Sequence, residues 1–341
     1  MNNNTKGRVL LTGGAGYIGA VLCEKLVNAG FDVRLFDRFY FGREPIAKLN
    51  SKIEVIEGDI RDFPEDLFNN IDTVIHLAAL SNDPTAEFNP QANHQINTES
   101  AIRLAKLAKK KGVKKFIFAS SCSIYDLGLE NENGIKDEIA KVEPKAAYSS
   151  SKFQAEKKIL KLADKDFCVV ILRKGTVFGF SPRMRYDLVV NTMVKNTLSS
   201  GTIKVLSRGI QWRPLVDVND VAEAYLKALG ASKEKVNGQV FNISRGNFLM
   251  KDLAYIVQKA LKKHFSINPK IIFKEPDRKD RSYRVSNQKA RQVLNFIPKV
   301  SIEESVIKIV GQIKKNKFTD FENPIYYNID WMRPILEKEI R

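Results

Sequence analysis

Short apolar runs alternate with stretches of helical periodicity through the first half of the chain. RVLLT (8–12), DVRLF (32–36), KIEVIEG (52–58), TVIHLAA (73–79), KKFIFAS (114–120) and FCVVILR (167–173) read as strands, and segments near 17–29, 90–111 and 147–164 read as helices. Strands that are apolar throughout rather than alternating are covered on both faces. The order therefore predicts βαβ units and an α/β fold, a doubly wound parallel sheet with helices on both sides.

After Gly175 the pattern loosens into KGTVFGFSPRMR and then shorter, more charged helices and strands, which reads as a smaller α/β substrate-binding lobe. The expected division is a nucleotide-binding domain over 1–178, rejoined by the chain around 214–243, and a lobe over most of 179–315. A tail over 316–341, with its aromatic residues, Pro324 and Pro334, is assigned no role from the sequence beyond packing against the body or a partner.

The turn after the first strand changes this picture most. In RVLLTGGAGYIG, Gly13, Gly16 and Gly19 stand where a strand ends and a helix should begin. The first glycine permits the tight turn, the second lets backbone approach a pyrophosphate, and the third lets helix and strand pack closely while the helix N-terminus faces the phosphates. Asp37 ends the second apolar run, where a carboxylate would accept hydrogen bonds from a ribose hydroxyl. This is the dinucleotide-binding signature of a Rossmann domain. Asp37 favours NAD, since a carboxylate would repel the 2′-phosphate of NADP, although Arg38 beside it could contact one. In a doubly wound sheet the ligand lies beyond the carboxyl ends of the strands, and those ends carry Gly13, Asp37, Asp59, Ala78, Ser121 and Lys174.

Composition narrows the classes. The 341 residues and 43% hydrophobic content support a sizeable core, and Cys23, Cys122 and Cys168 are too scattered for a disulfide framework or a zinc ribbon. With three histidines as well, no metal site is expected. MNNNTKG has no apolar signal-peptide core and no later run is long enough to span a membrane, which points to a cytoplasmic protein. The formal net charge of +17 is spread over lysine-rich helical faces such as 106–115 and 157–165, so it reads as a solvated surface rather than a nucleic-acid site.

Tyr148 and Lys152, in YSSSK, are four apart and so share a helix face. An ammonium beside a phenol lowers the phenol pKa toward a usable general base. The spacing alone is poor evidence, because Tyr255 and Lys259 repeat it in an ordinary amphipathic helix. Position separates them: Tyr148 opens the helix that follows the fifth strand, whose end carries Ser120, Ser121 and Ser123 on the cofactor edge.

With TGGAGYIG, GDIRD, HLAA, SSCSIY, YSSSK, QWRPLVDVNDVA and RSYRVSNQKA in order, nearly the whole chain resembles the extended short-chain dehydrogenase/reductases of the NAD-dependent nucleotide-sugar epimerase/dehydratase family. The resemblance implies that Tyr148 is the general acid/base on a sugar hydroxyl, that Lys152 holds the nicotinamide ribose and depresses the tyrosine pKa, and that Ser121 hydrogen-bonds the reacting oxygen. Gly13, Gly16, Tyr17, Ile18 and Gly19 would form the phosphate loop, Asp59 and Ile60 the adenine contact, and Ala78 and Ala79 the backbone along the cofactor diphosphate. His76 reads as structural. Ser123, Asn191, Arg213 and Arg281 would bind the nucleoside-diphosphate sugar, with Arg278 a further candidate cation and Arg183 and Arg185 either reaching the sugar or its phosphates or forming surface ion pairs. A homodimer pairing the helices near 93–111 and 147–164 is implied too.

The same resemblance sets expectations for the reaction. It implies oxidation at a sugar carbon, usually C4. Related 4,6-dehydratases place an Asp-Glu pair after the catalytic Ser/Thr, and decarboxylating relatives tend to keep a glutamate there. Here those positions are Cys122 and Ser123, so the leading expectation is a 4-epimerase. A 4-dehydrogenase or 4-ketoreductase, a dehydratase using Cys122 as its acid, and a non-catalytic NAD- or RNA-binding protein are the alternatives. The last is suggested by the basic charge and by Asp126, where the family commonly has glycine.

Overall fold

The computed structural model describes residues 6–126, 134–275, 281–316 and 318–339. Its main sheet has seven parallel strands in the order Gln239–Ile243, Cys168–Lys174, Lys115–Ser121, Thr73–His76, Arg8–Thr12, Asp32–Asp37, Glu54–Glu57. The strand Arg8–Thr12 lies centrally, and Val9, Leu10 and Leu11 are each at most 1% exposed, as a run covered on both faces must be. Apolar residues on one face pack against the helices Tyr17–Asn28 and Val218–Gly230; those on the other pack against Ala101–Lys110 and Ala147–Leu160. The α/β doubly wound sheet is therefore present.

The chain returns to this sheet at Gln239–Ile243 alone. That return lies within the expected 214–243, but the strand Trp212–Asp217 at the start of the range pairs parallel with Thr176–Phe178 and antiparallel with Gly246–Leu249 in a separate three-stranded sheet. Behind it the helices Val189–Ser200, Met250–Phe265 and Ile302–Asn316 share a core that includes Phe178, Met193, Leu253 and Ile309. The tail divides: Phe318, Phe321, Tyr326 and Tyr327 stay packed against this lobe core. The helix Asn328–Glu339 packs on the nucleotide-binding half, where Met332 and Leu336 are buried in the same core as Phe36 and Phe116.

The expected helix over 90–111 contains a departure. Pro90–His94 and Ala101–Lys110 are α-helical, but Gln95–Ser100 between them is a π-turn. It carries the fully buried Asn97, which accepts from the Leu80 amide at 2.9 Å and donates to the Leu80 carbonyl at 3.0 Å. One side chain thus replaces a missing strand partner just beyond Thr73–His76. π-Turns inside helices recur beside functional sites. Among the described residues no helix is long and apolar enough to cross a membrane, and no cluster of three or more His, Cys, Asp or Glu side chains could hold a metal.

Candidate active site

The strand ends open into a cleft of about 470 Å³ between the main sheet and the lobe. Gly13, Gly16, Tyr17, Ile18, Gly19, Asp37, Asp59, Ile60, Ala78, Ala79 and Lys152 all line it. Gly13 has φ +74°, a conformation other residues adopt only under strain, and a Cβ on Gly19 would collide with the Gly13 carbonyl. In front of Gly16 a Cβ would meet only the Gly13 carbonyl oxygen, so the backbone there stays open to the cleft. The helix Tyr17–Asn28 begins with no side-chain cap. Its first amides therefore remain available to an anion, which is the fit expected for a dinucleotide diphosphate.

Asp37 sits at the end of its strand and accepts from the amides of Ala15 at 2.9 Å and Phe39 at 2.8 Å. The acid thus shapes the phosphate loop as well as facing the cleft. Arg38, the residue that could have favoured NADP, is drawn to Asp59. Asp59 also accepts from Arg61, whose Nη2 lies at 2.6 Å. Burial acts to raise the Asp59 pKa, but the Arg61 and Arg38 interactions outweigh it and hold the carboxyl below its ordinary value.

At the middle of the cleft stand Ser121, Ser123, Tyr148 and Lys152. The Ser121 hydroxyl lies 2.9 Å from that of Ser123 and also accepts the Ser123 amide at 3.2 Å, which fixes it at the strand end. Burial and then the charge of Asp83 push the Tyr148 phenol up to about 12, while a hydrogen bond from Ser121 and the charge of Arg185 act the other way. Burial brings the Lys152 ammonium down to about 7. The lysine is itself starved of water, and Ser121 and Arg185 are the leading groups that act to lower the tyrosine. Tyr255, the other tyrosine of a Tyr-x-x-x-Lys pair, is 53% exposed and away from the cleft.

Two substrate assignments need correction. Asn191 is fully buried, and its amide accepts from the Gly179 N–H at 2.9 Å and donates to the carbonyls of Gly179 at 3.0 Å and Arg185 at 2.8 Å. Its hydrogen bonds hold the bend around Gly179, and it does not line the cleft. Arg213 is turned behind the wall: it lies over the Tyr283 ring and donates to the backbone carbonyls of Trp212 and Arg281. Arg281 does line the cleft, between Asp83 at 2.8 Å and Asp126 at 3.1 Å. Arg278 lies outside the described residues.

The lesser candidates resolve as well. Cys122 is fully buried, with its thiol donating to the Arg173 carbonyl at 3.1 Å and its pKa pushed up by burial, so it cannot serve as an acid in the cleft. Ser120 donates to Glu156 at 2.6 Å. His76 is buried beside Phe118, bonded to Thr12 at 2.7 Å and held neutral by burial, with its pKa down to about 3. Arg183 and Arg185 both line the cleft and are buried rather than forming surface pairs. The sequence reading missed Asp83, Asp187 and Asn328, which also line it. Each is an ordinary polar residue outside any local motif, and no signal marked it.

The profile of the NAD dependent epimerase/dehydratase family matches residues 9–244. The chain belongs to that family, and it is an NAD-dependent enzyme of the nucleotide-sugar epimerase/dehydratase type. It is 32% identical to a UDP-N-acetyl-alpha-D-glucosaminuronate decarboxylase of Bacillus cytotoxicus over 70% of this chain and 75% of that one. It is 27% identical to UDP-glucuronic acid decarboxylase 1 of Arabidopsis thaliana, over 92% and 72%. Among solved structures, the UDP-glucuronic acid 4-epimerase of Bacillus cereus, in complex with UDP-glucuronic acid and NAD, superposes with a TM-score of 0.78 at 25% identity, covering 91% of this chain and 99% of that one.

Proposed function

We propose that the enzyme is a 4-epimerase of a nucleoside-diphosphate sugar. The observation that carries this reading is the strand end itself: Ser121 and Tyr148 face the cleft, Cys122 is turned into the sheet, and Ser123 stands where a carboxylate would be needed for elimination. NAD, when bound, supplies the hydride acceptor and donor. The residues of the chain do the rest. Tyr148 takes the proton of the C4 hydroxyl as the carbon is oxidised, and Ser121 hydrogen-bonds the oxygen that becomes the ketone. Lys152, from the same helix face as Tyr148, orients the nicotinamide ribose. Arg281, lining the cleft from the lobe, holds the substrate diphosphate, and its planar fork suits two phosphate oxygens. The ketosugar turns over, and Tyr148 returns its proton as C4 is reduced on the other face. A relative of similar length and fold acts as a 4-epimerase on a UDP-sugar, which supports both the reaction and the substrate class.

Incubation with UDP-, GDP-, dTDP- and CDP-sugars should give a C4-inverted product with no net change in NADH absorbance. Stoichiometric NADH formation would point to a dehydrogenase and reject the epimerase. A second reading, loss of water after the same oxidation, has one observation in its favour: Asp83 is a carboxylate on the cleft wall whose charge reaches Tyr148. Its product would be 18 mass units lighter, a loss of one water. We also propose a homodimer, in keeping with the resemblance that suggested it.

A further inference from the structure

Charge is unbalanced on one wall of the cleft. Arg183 is 4% exposed and lines the cavity. Its Nη2 donates to the Asn328 side-chain oxygen at 2.6 Å and its guanidinium lies 3.7 Å over the centre of the Phe41 ring, but Nη1 is buried and meets no acceptor. The nearby carboxylate, Asp187, is already taken, because Arg185 grips its two oxygens at 2.8 and 2.7 Å. The ionisable groups acting on Arg183 are Arg185, Asp187 and Tyr17, and burial keeps the Tyr17 phenol protonated. Two cations therefore face one carboxylate. Burial and then Arg185 bring the Arg183 pKa down to about 9. A buried guanidinium with an open N–H is costly until an anion completes it.

The surroundings say which anion. Ser181, two residues earlier, donates to the Tyr17 carbonyl at 2.7 Å, so this segment lies against the start of the glycine-loop helix. Phe41 follows the strand that ends in Asp37. Asn328 reaches across the same space: its side chain donates to Ser81 at 2.9 Å, beyond the fourth strand, and its backbone donates to Asp187 at 3.2 Å. The helix that Asn328 begins is fixed in turn by the Trp331 indole, which donates to the Tyr40 carbonyl at 2.6 Å, and by the burial of Met332 and Leu336. Arg281, by contrast, belongs to the wall formed with Tyr283 and Asp126.

We propose that Arg183 binds the diphosphate of the cofactor from the side opposite the glycine loop, and that the helix Asn328–Glu339 is the latch that holds it in place. The glycine loop contributes neutral amides and a helix dipole; Arg183 contributes the full positive charge that the loop lacks. A chain using the same NAD over many turnovers needs slow release, and this arrangement provides a second grip.

Isothermal titration of NAD and of UDP into cofactor-stripped protein, with melting curves of the same samples, tests the assignment. Arg183→Gln should weaken NAD by about tenfold or more, leave UDP unchanged, and leave the cofactor-free melting point equal or higher, because it removes an uncompensated buried charge. Arg183→Lys should recover part of the NAD affinity. Loss of UDP binding in place of NAD binding would assign the residue to the substrate diphosphate and overturn the proposal. So would a lower melting point with unchanged NAD affinity, the mark of a merely structural residue. Asn328→Ala leaves the guanidinium in the chain and covers the case in which Arg183→Gln does not fold. Its NAD dissociation, followed by tryptophan fluorescence, should be several-fold faster, and an unchanged rate rejects the latch.

Discussion

Lys152 and Tyr148 illustrate how burial prepares residues for chemistry at the expense of the fold. Lys152 is 2% exposed and titrates near 7, well below its ordinary value. Between the two pKa values the unfolded chain binds the extra proton, so this residue makes stability rise with pH from about 7 to about 10.4 and penalises the fold below that window. Lys152→Met should therefore raise the melting point of the cofactor-free protein by a few degrees at pH 7, and by little at pH 10, while turnover is lost. Calorimetry at the two pH values checks this, and a lower melting point at pH 7 speaks against it. Tyr148→Phe should cost roughly 10²–10⁴ in kcat with NAD affinity retained. Asp83→Asn removes a charge that raises the Tyr148 pKa, so the alkaline rise of kcat/KM should move to lower pH; a profile that does not move refutes the coupling. Ser121, Tyr148, Lys152 and the glycines were legible in the sequence because each belongs to a short motif whose spacing encodes its geometry. Arg183 was legible only as a candidate for the substrate, and its pairing with Asn328 was not, since the two are 145 positions apart and only the folded chain makes them neighbours. Asn191 misled for a related reason: a buried amide that ties down a bend has the same sequence signature as one that binds phosphate.

The catalytic helix Ala147–Leu160 owes its position to a polar network beneath it. Glu156, 1% exposed, pairs with Arg173 of the neighbouring strand and accepts from Ser120, while Arg173 reaches the Tyr125 hydroxyl and Tyr125 donates to Asn242 at 2.9 Å. Five elements are thereby joined under the residues that line the cleft: this helix, the strands of Ser120, Arg173 and Asn242, and the short turn Cys122–Tyr125. Glu156→Gln leaves a buried guanidinium without its counter-charge and should cost roughly 3–5 kcal/mol, read from the urea midpoint of the cofactor-free protein. A shift of less than 1 kcal/mol would show that the network positions without stabilising. Asn97→Leu acts on the π-turn: it strips the partners from both backbone groups of Leu80, so NAD affinity should fall along with stability, as titration and melting can show. The helices and strands were readable because apolar periodicity survives in each of them. The π-turn was not, because one wider turn changes the helix by a fraction of a residue and leaves that periodicity almost intact.

At the scale of the molecule, the parallel sheet followed from the alternation of strand and helix, but the destination of the later strands did not. Trp212–Asp217 is as apolar as a main-sheet strand, and only its pairing with Thr176–Phe178 and Gly246–Leu249 assigns it elsewhere. The proposed homodimer predicts a light-scattering mass twice the 38.6 kDa of one chain, and a mass of one chain rejects it. The glycine loop leaves the ribosome well before Asn328–Glu339, which walls the same cleft. Because domains form in the order of their synthesis, the early sheet can assemble while its nucleotide crevice still lacks a side. With that helix as the proposed latch, closure over the dinucleotide is deferred until Asn328–Glu339 has been made, and a polypeptide cut short before it would keep the crevice and lose its closure.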